Sequence, residues 1–213
     1  MSTPRTRIIA TSLTALAGLA ALSGCSSADS GEEAGKPITQ QLDQGQIQQA
    51  LPGAGEVIRE WDPYEGKGVR QADDCALVDH PAPKGWVRAG GARYIHNGST
   101  DDMAYVTICL FDGPETAKAA YTAWQDKDLK KQDSKETVGE ESAFFINPDT
   151  NGTAYAFTRS GIVAIKVKID HNGGGIIGAR DMIAATLKRL QQVQDGKRAT
   201  ATAGDEAAKA AKK

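Results

Sequence analysis

Histidine and cysteine are scarce in this chain of 213 residues, with three of each, and aromatics make up only 6%. His80, His96 and His171 stand at no metal-ligand spacing from one another, so no histidine-built metal centre is expected. HExxH, GxSxG, Ser-x-x-Lys and the phosphate-binding P-loop are all missing, which removes the motif-bearing hydrolases and nucleotide enzymes. Charge of one sign is missing too. Twenty-five basic against 27 acidic residues give a net −2, too little positive charge for a partner such as nucleic acid. No run of twenty apolar residues occurs beyond the first thirty positions, which excludes several helical membrane crossings, and no internal repeat is visible.

What is present begins at the N-terminus. Arg5 and Arg7 precede an apolar stretch from Ile8 to Leu22, too short for a comfortable span and suited to a secretory signal. Thr6 separates the two arginines, so the twin-arginine pair is absent. The stretch ends in Leu22-Ser23-Gly24-Cys25, which resembles the bacterial lipobox, where the cysteine thiol carries a diacylglyceryl group. The expectation is a signal peptide over 1–24 and a lipid on Cys25. Two acyl chains would hold the protein to the outer face of the cytoplasmic membrane.

With Cys25 lipidated, Cys75 and Cys109 remain as an even pair in an oxidising compartment, which favours a disulfide. The alternative is Cys109 as a free catalytic thiol, which needs a neighbouring base. Ser26 to Pro37 is small, polar and acidic, so residues 25–39 read as the lipidated cysteine and a flexible tether. Residues 194–213 offer nothing larger than Ala to bury after Gln194 and read as a disordered tail, with lipid or wall polymer as alternative contacts for its basic residues. One domain is expected between them, over 40–193.

Within it, Gln41 to Leu51 reads as a short helix stopped by Pro52-Gly53, and Asp62 to Gly66 as a turn. Trp86 to Ile95 reads as a strand with a bulge or kink at Gly90-Gly91, and Asn97-Gly98 as its hairpin turn. Met103 to Phe111 alternates, with Val106, Ile108 and Leu110 on one side and Tyr105, Thr107 and Cys109 on the other. Asp112 and Glu115 suggest a capped helix start, followed by the stripe Ala117, Ala120, Tyr121, Trp124. Ala143–Ile146, Thr153–Ser160 and Ile162–Asp170 read as strands, the last with Lys166 and Lys168 facing water. A final helix is expected over Ile176–Val193. The fold class is α+β: a single antiparallel sheet of about five strands, order β-β-α-β-β-β-α, with helices on one face.

Four aromatics of the N-terminal half, Trp61, Tyr64, Trp86 and Tyr94, could converge as a ligand groove or instead fill the core. The glycines at 173–175 and 178 match GxGxxG between a strand and a helix, but no parallel strand follows to complete a dinucleotide site. Asp73-Asp74 and Asp101-Asp102 lack calcium-loop spacing. No cofactor and no metal is therefore expected.

The sequence Ala50-Leu51-Pro52-Gly53…Glu56-Val57 precedes a cysteine, and a second cysteine in a strand leads to an Ala-rich helix ending near Trp124. With the hairpin Gly152-Thr153-Ala154-Tyr155-Ala156-Phe157…Arg159-Ser160-Gly161 and a closing helix, residues 45–193 resemble small actinobacterial secreted lipoproteins. More distantly they are similar to the extracellular sensor domain of mycobacterial receptor kinases. That sensor has a second disulfide with no counterpart here. The resemblance implies a ligand-sensing or protein-contacting role and transfers no catalytic residue. The expected function is a non-enzymatic, membrane-anchored binding domain for a small molecule or an envelope protein. An accessory subunit of an envelope complex and a cell-wall-directed enzyme are the alternatives.

Overall fold

A computed structural model describes residues 35–77, 80–125, 128–133, 136–170 and 175–212. The signal, Cys25, His171, Gly173 and Gly174 lie outside the described residues. Seven strands form one open antiparallel sheet in the order β1-β2-β3-β7-β6-β5-β4. The strands are β1 (Trp61–Arg70), β2 (Trp86–His96), β3 (Ser99–Phe111), β4 (Lys130–Gln132), β5 (Glu141–Asn147), β6 (Thr153–Ser160) and β7 (Val163–Ile169). Two meanders, β1 to β3 and β4 to β7, meet where β3 pairs with β7, with Cys109 opposite Ala164 and Thr107 opposite Lys166.

Helices α1 (Gln44–Ala50), α3 (Gly175–Gln194) and α4 (Ala203–Ala210) accompany one face, whereas α2 (Pro114–Ala123) lies on the other. Val106, Ile108 and Leu110 of β3 and Val163, Ile165, Val167 and Ile169 of β7 pack with Met182, Ile183 and Leu190 of α3. On the opposite face Cys109, Phe111, Phe145 and Phe157 pack beneath Ala117, Ala120, Tyr121 and Trp124. The expectation of helices on one face is thereby corrected. Phe145, Phe157 and Cys109 make the second face apolar as well, and an apolar face needs its own cover.

Two strands escaped the sequence reading. β1 contains Pro63, Gly66 and Gly68, a composition that reads as turn, yet an edge strand tolerates residues that cannot serve two neighbours. β4 is three polar residues on the other edge, too short to show a period. The Gly90-Gly91 pair makes no bulge, since both stay in register with Ile108 and Thr107 of β3. Its reason is close approach: a Cβ at Gly90 would sit 2.6 Å from Ile47 Cγ2 on α1. At the start of α2 the cap is Gly113 rather than Asp112, and Thr116 takes the expected role of Glu115. The Thr116 hydroxyl accepts from Gly113 N at 3.2 Å and donates to Asp112 Oδ1 at 2.6 Å.

Both ends of the domain extend beyond the expected bounds. The composition predicts a tether over 25–39, but Ile38 is fully buried and its carbonyl accepts from Ile162 N at 2.9 Å. Gln191 and Gln194 donate to the carbonyls of Lys36 and Pro37, each at 3.1 Å. A side chain on Gly161, at φ 59°, would collide with the Ile38 carbonyl, so glycine is required at this crossing. The tail is also built into the fold. Thr202 caps α4 by accepting from Asp205 N at 3.1 Å, and Ala203 is fully buried. Alanines suffice there because the segment lies directly on α3, where Arg189 donates to Ala201 O at 3.1 Å. Among the described residues no helix is long and apolar enough to cross a membrane.

Candidate functional site

A half-open cleft of about 660 Å³ lies on the α2 side of the sheet. Its floor is the β3–β7 pair, contributing Tyr105 and Thr107 opposite Lys168 and Lys166, with Tyr155 of β6 beside them. One wall is the 3-10 turn Ala72–Cys75 and the residues after it, which bring Asp73, Asp74, Leu77 and His80 to the rim. Leu129 and the β5–β6 connection, with Asn147 and Thr150, make the other.

The disulfide expected between Cys75 and Cys109 is present and fixes that first wall to the C-terminal end of β3. Trp124 Nε1 donates to Cys75 O at 2.7 Å, tying the same turn to the end of α2. Lys166 Nζ donates to Ala76 O and lies 5.7 Å from the centre of the Trp124 ring. Burial pushes the Lys166 amine down to about 8, with the Asp74 carboxylate opposing the shift. Burial also works against the Lys168 ammonium, but the hydrogen bond and charge of Asp170, 2.8 Å away, hold its pKa above the ordinary lysine value. Lys168 Nζ sits 5.1 Å and the Arg93 guanidinium 5.8 Å from the centre of the Tyr105 ring. Burial raises the pKa of Tyr155.

The lysines expected to face water therefore form the inner surface of a cleft. A signal for this existed in the sequence. Lys166 follows Cys109 and Thr107 onto a sheet face that the α2 stripe has to cover.

The four aromatics singled out as a groove are not brought together. Trp61 is 4% exposed and packs in the core on the α3 side, its ring 5.3 Å from His96. Tyr94 is fully buried in that same core and donates its hydroxyl to Pro52 O at 3.0 Å. Trp86 packs, half-buried, on the opposite face, and Tyr64 is 49% exposed on edge strand β1. Alternation and bulging along β1 and β2 send these rings to different sides. Asp73 and Asp74 reach the cleft rim, whereas Asp101 and Asp102 belong to β3 near its hairpin. Among the described residues no three His, Cys, Asp or Glu side chains gather as a metal-binding group.

The fold has a counterpart among solved structures. The extracellular domain of PknH from Mycobacterium tuberculosis matches over 72% of this chain and 98% of its own length, with a TM-score of 0.51 and 12% identity. That likeness is one of fold. No family model and no curated protein matches the sequence.

Proposed function

We propose that this protein is an extracytoplasmic lipoprotein, anchored through Cys25, whose domain is a non-catalytic, sensor-like binding module with the β3–β7 cleft as its ligand site. The observation that carries the reading is the cleft itself. A disulfide-pinned wall stands over a floor bearing a desolvated lysine and two tyrosines, apolar surface with a few polar groups, as small-molecule sites are built. The fold likeness to a receptor-kinase extracellular domain and the disulfide both agree with a location outside the cytoplasm. The lipobox-like Leu22-Ser23-Gly24-Cys25 supports the anchor. An accessory-subunit role through strand addition is less well supported, because Pro63 and two register shifts blunt the free edge of β1.

Mass spectrometry of the exported protein tests both halves. Under denaturing conditions the mature chain should begin at Cys25 and carry a diacylglyceryl mass. An unmodified Cys25 in a soluble protein would refute the anchor. Under native conditions an added mass released by denaturation is expected. A cleft that takes up no small molecule from a chemically mixed panel would refute the binding role.

A further inference from the structure

The cations around the cleft are not equivalent. Lys168 has Asp170 at 2.8 Å and Arg93 has Glu65 at 3.1 Å, so each arrives already neutralised. Lys166 has no carboxylate within ion-pair distance among the described residues. Its hydrogen bond goes to a neutral backbone carbonyl, that of Ala76, and its other neighbour is the Trp124 ring. Asp74 acts on it only from farther off and uses Oδ2 to accept from Gln71 N at 2.8 Å. An ammonium carries three donors, and a desolvated charge without a counter-ion is costly. The free volume beside Lys166 is therefore where a counter-charge would gain most. Leu77, Leu129, Tyr105 and Tyr155 give the surrounding walls apolar and aromatic surface. Asp73 and Asp74 at the rim repel a ligand of high negative charge.

Resting on the reading of the cleft as the ligand site, we propose that its ligand class is a small organic monoanion, a carboxylate or sulfonate on an aromatic or aliphatic body, with the anionic group paired to Lys166. The body lies against the tyrosines and leucines, and multiply charged phosphates are turned away at the rim.

The test uses the mature chain from residue 25 with Cys25→Ala, exported behind a general cleavable signal so that it needs no detergent, and two fluorescent probes of similar size. 8-Anilinonaphthalene-1-sulfonate carries the negative charge, and N-phenyl-1-naphthylamine lacks it. The sulfonate should bind one-to-one, and Lys166→Met should weaken it by about tenfold or more, as expected for loss of a charge-assisted contact. Binding of the neutral probe should not change between the two proteins. Lys166→Gln keeps a donor for Ala76 O without the charge and should lose the sulfonate equally, which guards against a misfolded Met variant. Lys36→Met, on an exposed lysine beside α3, serves as the control. Sulfonate binding within threefold of the parent in both Lys166 variants would overturn the anion assignment while leaving the cleft as a ligand site. Failure of both probes to bind the parent protein would overturn the cleft reading with it.

Discussion

Replacing both Cys75 and Cys109 with alanine should destabilise the domain and loosen one wall of the cleft before the rest. The bond closes a sequence separation of 34 residues, for which the chain-entropy model gives about 4 kcal/mol. For a domain of this size that corresponds to a fall in Tm of roughly 8–16 °C. Both cysteines are fully buried, so the lost sulfur packing acts in the same direction. Locally, among the described residues, the turn Ala72–Cys75 and Ala76 after it would keep two side-chain hydrogen bonds from other elements, from Trp124 Nε1 to Cys75 O and from Lys166 Nζ to Ala76 O. The first contributes about 1 kcal/mol and the second, donated by an ammonium, about 1.5–3 kcal/mol, neither enough to hold the segment shut on its own. Calorimetry of oxidised, reduced and double-alanine protein should show the reduced form melting below the oxidised one and the alanine form lower still, since it also loses the two buried sulfurs. Hydrogen exchange should show the amides of Asp74 and Ala76 losing protection while those of β7 keep theirs. A fall in Tm below about 3 °C with unchanged protection over 72–77 would refute the reasoning. The wall would then be held by packing and not by the cross-link.

Three further outcomes follow from the same structure. Arg189 is 3% exposed, donates to the carbonyls of Gln49, Ala50 and Ala201 and pairs with Glu56 at 3.0 Å, so Arg189→Met should cost about 3–5 kcal/mol in urea unfolding. Arg189→Lys should recover only part, because one ammonium cannot serve three separated carbonyls. Burial lowers the Lys166 amine to about 8, so between pH 8 and 10 the unfolded chain holds more of that proton than the folded one. The Lys166 contribution to stability should therefore rise with pH across that window, against the opposite slope of the buried tyrosines near pH 10. The stability of the parent relative to Lys166→Met, in denaturation curves taken at each pH, should grow accordingly. Ending the chain after Arg198 removes buried Ala199 and Ala203 and the Ala201 carbonyl that Arg189 uses, and should lower the unfolding free energy by roughly 2–3 kcal/mol. A truncated domain with unchanged unfolding would return the tail to the status of a solvated appendage.

The local elements were legible wherever one residue's neighbours along the chain decide its conformation. The alternation through β3 and β7, the Asn97-Gly98 turn and the stripe from Ala117 to Trp124 all appear in the fold as the pattern requires. Cysteine parity likewise marks Cys75 and Cys109 as partners, and the disulfide joins them. A period of two states that successive side chains point to opposite sides; it does not state what covers each side. For that reason Lys166 reads as a solvated strand residue until α2 and the Cys75 turn, distant in sequence, close over it. Edge strand β1 and the docked tail stayed hidden for a related reason. Pro63, the glycines of β1 and the alanines near 203 carry little signal of their own, and their structure comes from β2, α3 and Arg189. Trp61, Trp86 and Tyr94 show the converse: an aromatic residue declares that it will be buried, and only the assembled sheet decides on which face.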